Sequence, residues 1–296
     1  MGIFWAAATY IFWGLTPIFW KQFKDVTSIE LLAQRVVWSL LFLVPLVLRG
    51  RQRREIVQLF TSNRRKLPYV FLAAFLIGFN WYAYVLAIIT NKVLQTSLGY
   101  FMTPLMSILF SIILLKERLT RLQTIAVSLA VFAAVLETVK TGQAPFLALL
   151  LSSTFAFYAY LKKKMQISAA VGLALEMSLM LPALVYFFSR HGVPHHSPSA
   201  WVMLVMIGPI TVVPMVWYTW ALQRVSFVTV AFLQYLSPFL TFFLAVFVYQ
   251  EPFRWIQRVT FFITWVALGL FMWDLWLRTR RKRPSEIPQP QHRSAA

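Results

Sequence analysis

The chain has no cysteine, only nine acidic residues and only four histidines in 296 positions. Without cysteine there is no disulfide, no thiol nucleophile and no thiolate metal ligand. A structural or catalytic metal needs three or four arranged ligands. Three of the four histidines, His191, His195 and His196, fall in one loop with Pro194 and Pro198. That pattern reads as a solvated loop, and no metal site is expected. Charge is scarce as well, at 12% against an average near 25%. The ten glycines are scattered. No phosphate-cradling loop is formed, so direct drive by ATP is not expected. A nucleophile elbow and a zinc-binding helix signature are absent too, and no enzyme activity or cofactor is expected.

What is present is apolar surface. Hydrophobic residues make up 59% and aromatics 17%. They gather in ten runs, approximately 2–20, 29–48, 68–88, 94–115, 121–139, 144–161, 170–188, 201–222, 228–249 and 256–277. About 20 apolar residues cross a hydrocarbon core of about 30 Å. The expectation is an all-α polytopic membrane protein with ten transmembrane helices in contact with the lipid bilayer. The first run has no basic segment before it and leads into a membrane pattern, so no cleavable signal is expected.

The net charge of +19 raises the question of nucleic acid. The basic residues sit at run ends and in the tail, which fits topology and headgroup contact, so no nucleic-acid partner is expected. Lysine and arginine in alternate loops number twenty on one side and seven on the other. The richer side includes Arg49–Lys66, Lys162–Lys164 and the tail from Arg278. The positive-inside rule places both termini in the cytoplasm. Residues 279–296 read as a basic, disordered cytoplasmic tail.

The chain also repeats itself. Ser97–Leu119 returns in altered form at Ala231–Phe253. Pro104 and Pro238, Glu117 and Glu251, Tyr84 and Tyr218, and Ala87 and Ala221 are each 134 positions apart. AAATYIFWG (6–14) resembles LSSTFAFYA (151–159). Residues 1–140 and 141–278 therefore read as two five-helix repeats. Five is odd, so the second repeat enters the membrane inverted, a recurring plan of secondary transporters.

These residues carry a resemblance. TYIFWG (9–14), ELLAQRVVWS (30–39), IGFNW (77–81), SLGYFMTPL (97–105), KER (116–118), LALEMSLMLP (173–182) and FLQYLSPFL (232–240) follow one another in fixed order. The sequence resembles the RarD group of EamA-type permeases, in the drug/metabolite transporter superfamily, over about residues 3–280. It departs from that pattern at Gln34, where the resemblance implies a histidine. The resemblance implies a bacterial inner-membrane location and cofactor-free secondary transport, outward, of small amphipathic metabolites or drugs. It also links the group to chloramphenicol sensitivity. Proton coupling and a homodimer are further expectations. A passive channel or lipid scramblase is the alternative, with an intramembrane enzyme acting on lipid-linked substrates behind it.

Individual residues follow. Arg35 lies about six residues into span 2, roughly 9 Å deep. An intramembrane charge by default marks a pathway or a buried pair. Gln34 lies on the same helix face as Glu30, and Trp38 on that of Arg35. Glu176 sits inside an apolar part of span 7 and suits a proton-responsive role. The consecutive Lys162–Lys164 read as a topology signal. Pro104 and Pro238 interrupt spans 4 and 9 and read as hinges, freeing the carbonyls of Tyr100 and Gln234. Tyr100, Gln234, Tyr235, Asn80 and Thr211 are polar candidates for a midplane cavity. Trp13, Trp81, Tyr84, Tyr158 and Trp217 are its aromatic candidates. Glu117 reads as a local partner or helix cap.

Overall fold

A computed structural model describes residues 1–20, 22–23, 26–89, 93–141, 146–192, 197–248 and 255–281. Glu251, His195, His196 and the tail beyond 281 lie outside them, as do the side chains of Tyr100 and His191. Among the described residues the chain is helical throughout, without strands.

The helices follow the apolar runs. They are α1 (Gly2–Trp20), α2 (Ser28–Val47), α3 (Gly50–Thr61), α4 (Leu67–Ile89), α5 (Val93–Leu115), α6 (Arg121–Thr141), α7 (Phe146–Met165), α8 (Ala169–His191), α9 (Pro198–Arg224), α10 (Phe227–Leu233), α11 (Leu236–Phe243) and α12 (Trp255–Arg281). Among the described residues, seven stretches suffice by length and composition to cross a membrane: Gly2–Trp20, Ile29–Val47, Arg64–Tyr84, Arg121–Lys140, Ala169–Arg190, Pro198–Arg224 and Arg258–Arg278. Met102–Leu115 and Phe227–Leu240 are shorter apolar helices.

Local sequence explains the ends. Thr27 caps α2, its hydroxyl accepting from the Glu30 N–H at 3.4 Å. Ser197 and Ser226 cap α9 and α10 in the same way. Gly192 closes α8 with φ +73°, a left-handed conformation that glycine adopts freely.

Two features depart from the sequence expectation. The basic stretch 49–66, read as a loop, contains α3. The ninth apolar run is not one helix. It breaks at Gln234–Tyr235, resumes as α11, and passes into a π-helical segment, Leu244–Val248.

The helices pack in defined pairs. α5 lies against α7, and α11 against α1; α9 touches both α1 and α2; α4 touches both α7 and α8. α2 meets α8, α6 meets α12, and α5 meets α10. The larger core gathers α1, α2, α4, α7, α8 and α9. A second gathers α5, α6, α10 and α12, where Phe232 and Phe271 stack at 3.7 Å. Apolar residues also cover the outside: Phe4, Phe75 and Phe262 are each 65% exposed. Nothing polar rewards that exposure in water, whereas hydrocarbon does. The chain is a multi-pass membrane protein.

Candidate functional site

Charged groups buried in an apolar bundle must be paired or used. Arg35 is the eighth residue of α2, and its guanidinium lies 4.1 Å from the centroid of the Trp81 ring on α4. A planar cation over an indole face is a favourable cation–π arrangement. One turn away, Gln34 Oε1 accepts from Trp38 Nε1 at 2.8 Å. Gln34 is buried and Trp38 half-buried.

Glu176 is the eighth residue of α8 and fully buried. Lys162 Nζ lies 2.7 Å from its Oε1, and Tyr158 donates to Oε2 at 2.9 Å. Arg35 is thus not the partner shown for Glu176. Lys162 is 3% exposed, so the first of the three lysines is a buried partner rather than a surface topology signal. The other two differ from it. Lys163 Nζ donates to the Leu222 and Val225 carbonyls at the end of α9, at 3.0 and 2.6 Å. Lys164 is exposed and faces the rings of Tyr69 and Tyr160. Spacing supplies a signal for Lys162: Tyr158 and Lys162 are four apart on one face of α7. The acid they serve is 14 residues on, across a turn, where spacing alone does not reach.

Tyr158 belongs to an aromatic cluster. Trp13 packs on Tyr10, Phe155 and Tyr218 with centroid separations of 5.6, 6.3 and 5.5 Å. Phe155 lies 6.1 Å from Tyr158 and 5.8 Å from Tyr218. The rings of α1, α7 and α9 therefore pack on one another in this conformation. Trp217 turns elsewhere, against Trp5 and Phe12. Tyr84 is half-buried.

Asn80 joins two helices: its Nδ2 donates to the Leu151 carbonyl at 2.7 Å and to Thr154 at 2.8 Å. Thr9 does the same between α1 and α9, donating to the Pro214 carbonyl at 3.3 Å. Thr211 is buried on α9. Near it, a Cβ added to Gly208 would meet the Trp38 carbonyl oxygen at 2.6 Å, so α2 and α9 touch backbone to backbone.

Pro104 is buried in the unbroken α5. Pro238 follows the break between α10 and α11, in which Gln234 and Tyr235 are both buried. The Gln234 carbonyl, which proline deprives of its helical donor, accepts from the Ser237 N–H at 3.2 Å. Glu117, just past α5, accepts the N–H groups of Phe227 and Val228 at 2.8 and 3.0 Å. It caps a helix, as expected, but one 110 residues away.

Among the described residues no cluster of histidine and acidic side chains has metal-binding geometry.

Residues 1–138 and 143–273 each match the EamA-like transporter family. The chain belongs to that family. An uncharacterized transporter of Bacillus subtilis, YojE, is 36% identical over 91% of this chain and 93% of its own. Protein RarD of Salmonella typhi is 36% identical over 95% and 97%. A crystal structure described only as that of a protein superposes at a TM-score of 0.65 over 94% of this chain and 97% of its own. Its identity is 17%, which establishes a common fold. EamA membership makes the chain a membrane transporter of the drug/metabolite type and points away from an enzyme.

Proposed function

We propose that the protein carries a small amphipathic metabolite or drug across the bacterial inner membrane by alternating access. Ten helices cross, as two inverted five-helix repeats, residues 1–140 and 141–278, with both termini cytoplasmic. The observation that carries this reading is the packing. Exchange α1 with α7, α2 with α8, α4 with α9, α5 with α10–α11, and α6 with α12. The pairs named above then map onto one another: α5 with α7 becomes α11 with α1, and α9 with α2 becomes α4 with α8. The polar ties follow the same exchange. Thr9 on Pro214 becomes Thr154 on Asn80, with Asn80 and Pro214 at the 134-residue offset. Two similar halves rocking against each other are the usual machinery of such carriers.

In this scheme Arg35 on its indole platform holds an anionic group of the substrate, with Gln34 and Trp38 beside it. Glu176 responds to protons by exchanging Lys162 for a proton or a substrate cation. The Gln234–Tyr235 break bends, and Pro104 supplies the matching weak point in α5. The rings of Trp13, Tyr158 and Tyr84 part to admit the solute, with Trp81, Asn80, Thr211 and Tyr100 along its route. Chloramphenicol is a reasonable probe, because a Pseudomonas aeruginosa relative, 28% identical, is named chloramphenicol-sensitive protein RarD.

The test is flux into proteoliposomes under an imposed pH gradient. Aromatic amino acids, polyamines and chloramphenicol are offered. Arg35→Ala is expected to lower flux of the carboxylate-bearing amino acids at least tenfold, and Glu176→Gln to remove the pH dependence. Unchanged flux in both variants, in folded protein, would refute these roles.

A further inference from the structure

Between α2 and α4 the chain makes a detour that the transport scheme does not use. α3 has three faces. Gln52, Glu55, Ile56 and Leu59 form the inner one, and Leu59 is 2% exposed. Glu55 Oε1 accepts the Ser168 N–H at 2.7 Å, tying α3 to the start of α8. The second face carries Val57 and Phe60, 55% and 49% exposed, with Arg53. The third carries Arg51, Arg54, Gln58 and Thr61, all exposed. Seven arginines and lysines lie between Arg49 and Lys66 against one acid, Glu55, which is already engaged at Ser168.

A strip of large apolar side chains beside a strip of arginines suits one environment, the boundary between acyl chains and headgroups. Arginine stems lie along apolar surface while their heads reach outward to phosphate. Water alone gives Val57 and Phe60 no return, and a nucleic acid would not engage them. We propose that α3 is an anionic-phospholipid binding surface lying in the membrane interface. Val57 and Phe60 enter the acyl boundary, and Arg51, Arg53 and Arg54 hold acidic headgroups. Through Glu55 the bound lipid steadies the beginning of α8, the helix that carries Glu176.

The experiment uses the full chain, whose lack of cysteine permits single spin labels. Val57→Cys and Gln58→Cys are labelled in vesicles of phosphatidylcholine with a quarter phosphatidylglycerol. The label at 57 is expected to collide with oxygen and the label at 58 with a water-soluble nickel complex. Equal exposure of both to nickel would overturn the placement. In low salt, phosphatidylglycerol is expected to raise the thermal midpoint of the detergent-purified protein above that with phosphatidylcholine. Arg51→Gln/Arg53→Gln/Arg54→Gln is expected to cut that shift by at least half. Arg280→Gln/Arg281→Gln/Lys282→Gln, where α12 meets the tail, is expected to keep it. A shift unchanged by the α3 substitutions, or lost only with the tail, overturns the proposal.

Discussion

Two matched stretches carry the same proline and adopt different structures. α5 runs through Pro104 unbroken, whereas Pro238 follows a break that separates α10 from α11. Proline removes one backbone donor in each case, so the donor is not the difference. The neighbours differ. α1 faces α11 with Gly14, where an added Cβ would come within 2.8 Å of Leu240 Cβ and 3.0 Å of the Ser237 carbonyl. The corresponding residue of α7 is Ala159 in the aligned segments. Glycine lets the backbone of α1 seat itself against the distorted helix, where a methyl group would collide. Proline permits a break, and close approach by a neighbour stabilises it.

The same contrast between halves orders the following tests. The largest effect is expected at the buried ion pair. Lys162→Met leaves Glu176 uncompensated and should cost about 3–5 kcal/mol in thermal or denaturant unfolding. Adding Glu176→Gln should restore much of the loss.

Next come the contacts across the bundle. Gly208→Ala should cost about 1–3 kcal/mol, because its methyl group meets the Trp38 backbone. The counterpart 134 positions earlier is Ala74. Ala74→Gly should cost about 1–2 kcal/mol, through helix propensity and the loss of a buried methyl group. Glu117→Gln should then cost about 1–2 kcal/mol and speed amide exchange at Phe227 and Val228, since a neutral cap replaces an ionised one. The smallest change in stability, within about 1 kcal/mol, is expected for Pro238→Ala. It restores a donor to the Gln234 carbonyl, straightens the α10–α11 junction and slows transport about tenfold. Pro104→Ala should slow it less. Equal slowing by both would show that the two helices bend alike during turnover.

Much of this was legible in the sequence. Hydropathy locates the helices because every crossing helix must bury its own backbone polar groups. The two matches to the EamA family echo the common offset of Pro104 and Pro238. α3 was missed because its four apolar residues are diluted by arginine, and a hydropathy run registers amount rather than periodicity. Arg35, Gln34, Trp38 and Trp81 are brought into one region, and so are Trp13, Tyr158 and Glu176. Lys162 was missed because three adjacent lysines at a helix end look alike until the fold turns one of them inward. Asn80 ties α4 to α7 here, a contact that its place in the sequence does not reveal.

The carboxylate of Glu117 has a consequence for biogenesis. The first amides of α10 find their acceptor on a residue made 110 positions earlier. Synthesis from the N-terminus supplies that acid before Phe227 arrives. The reverse order would leave those amides to water at the helix end until the acid arrives. The contact predicts that a split protein gives more folded complex when the first half is inserted ahead of the second than in the reverse order.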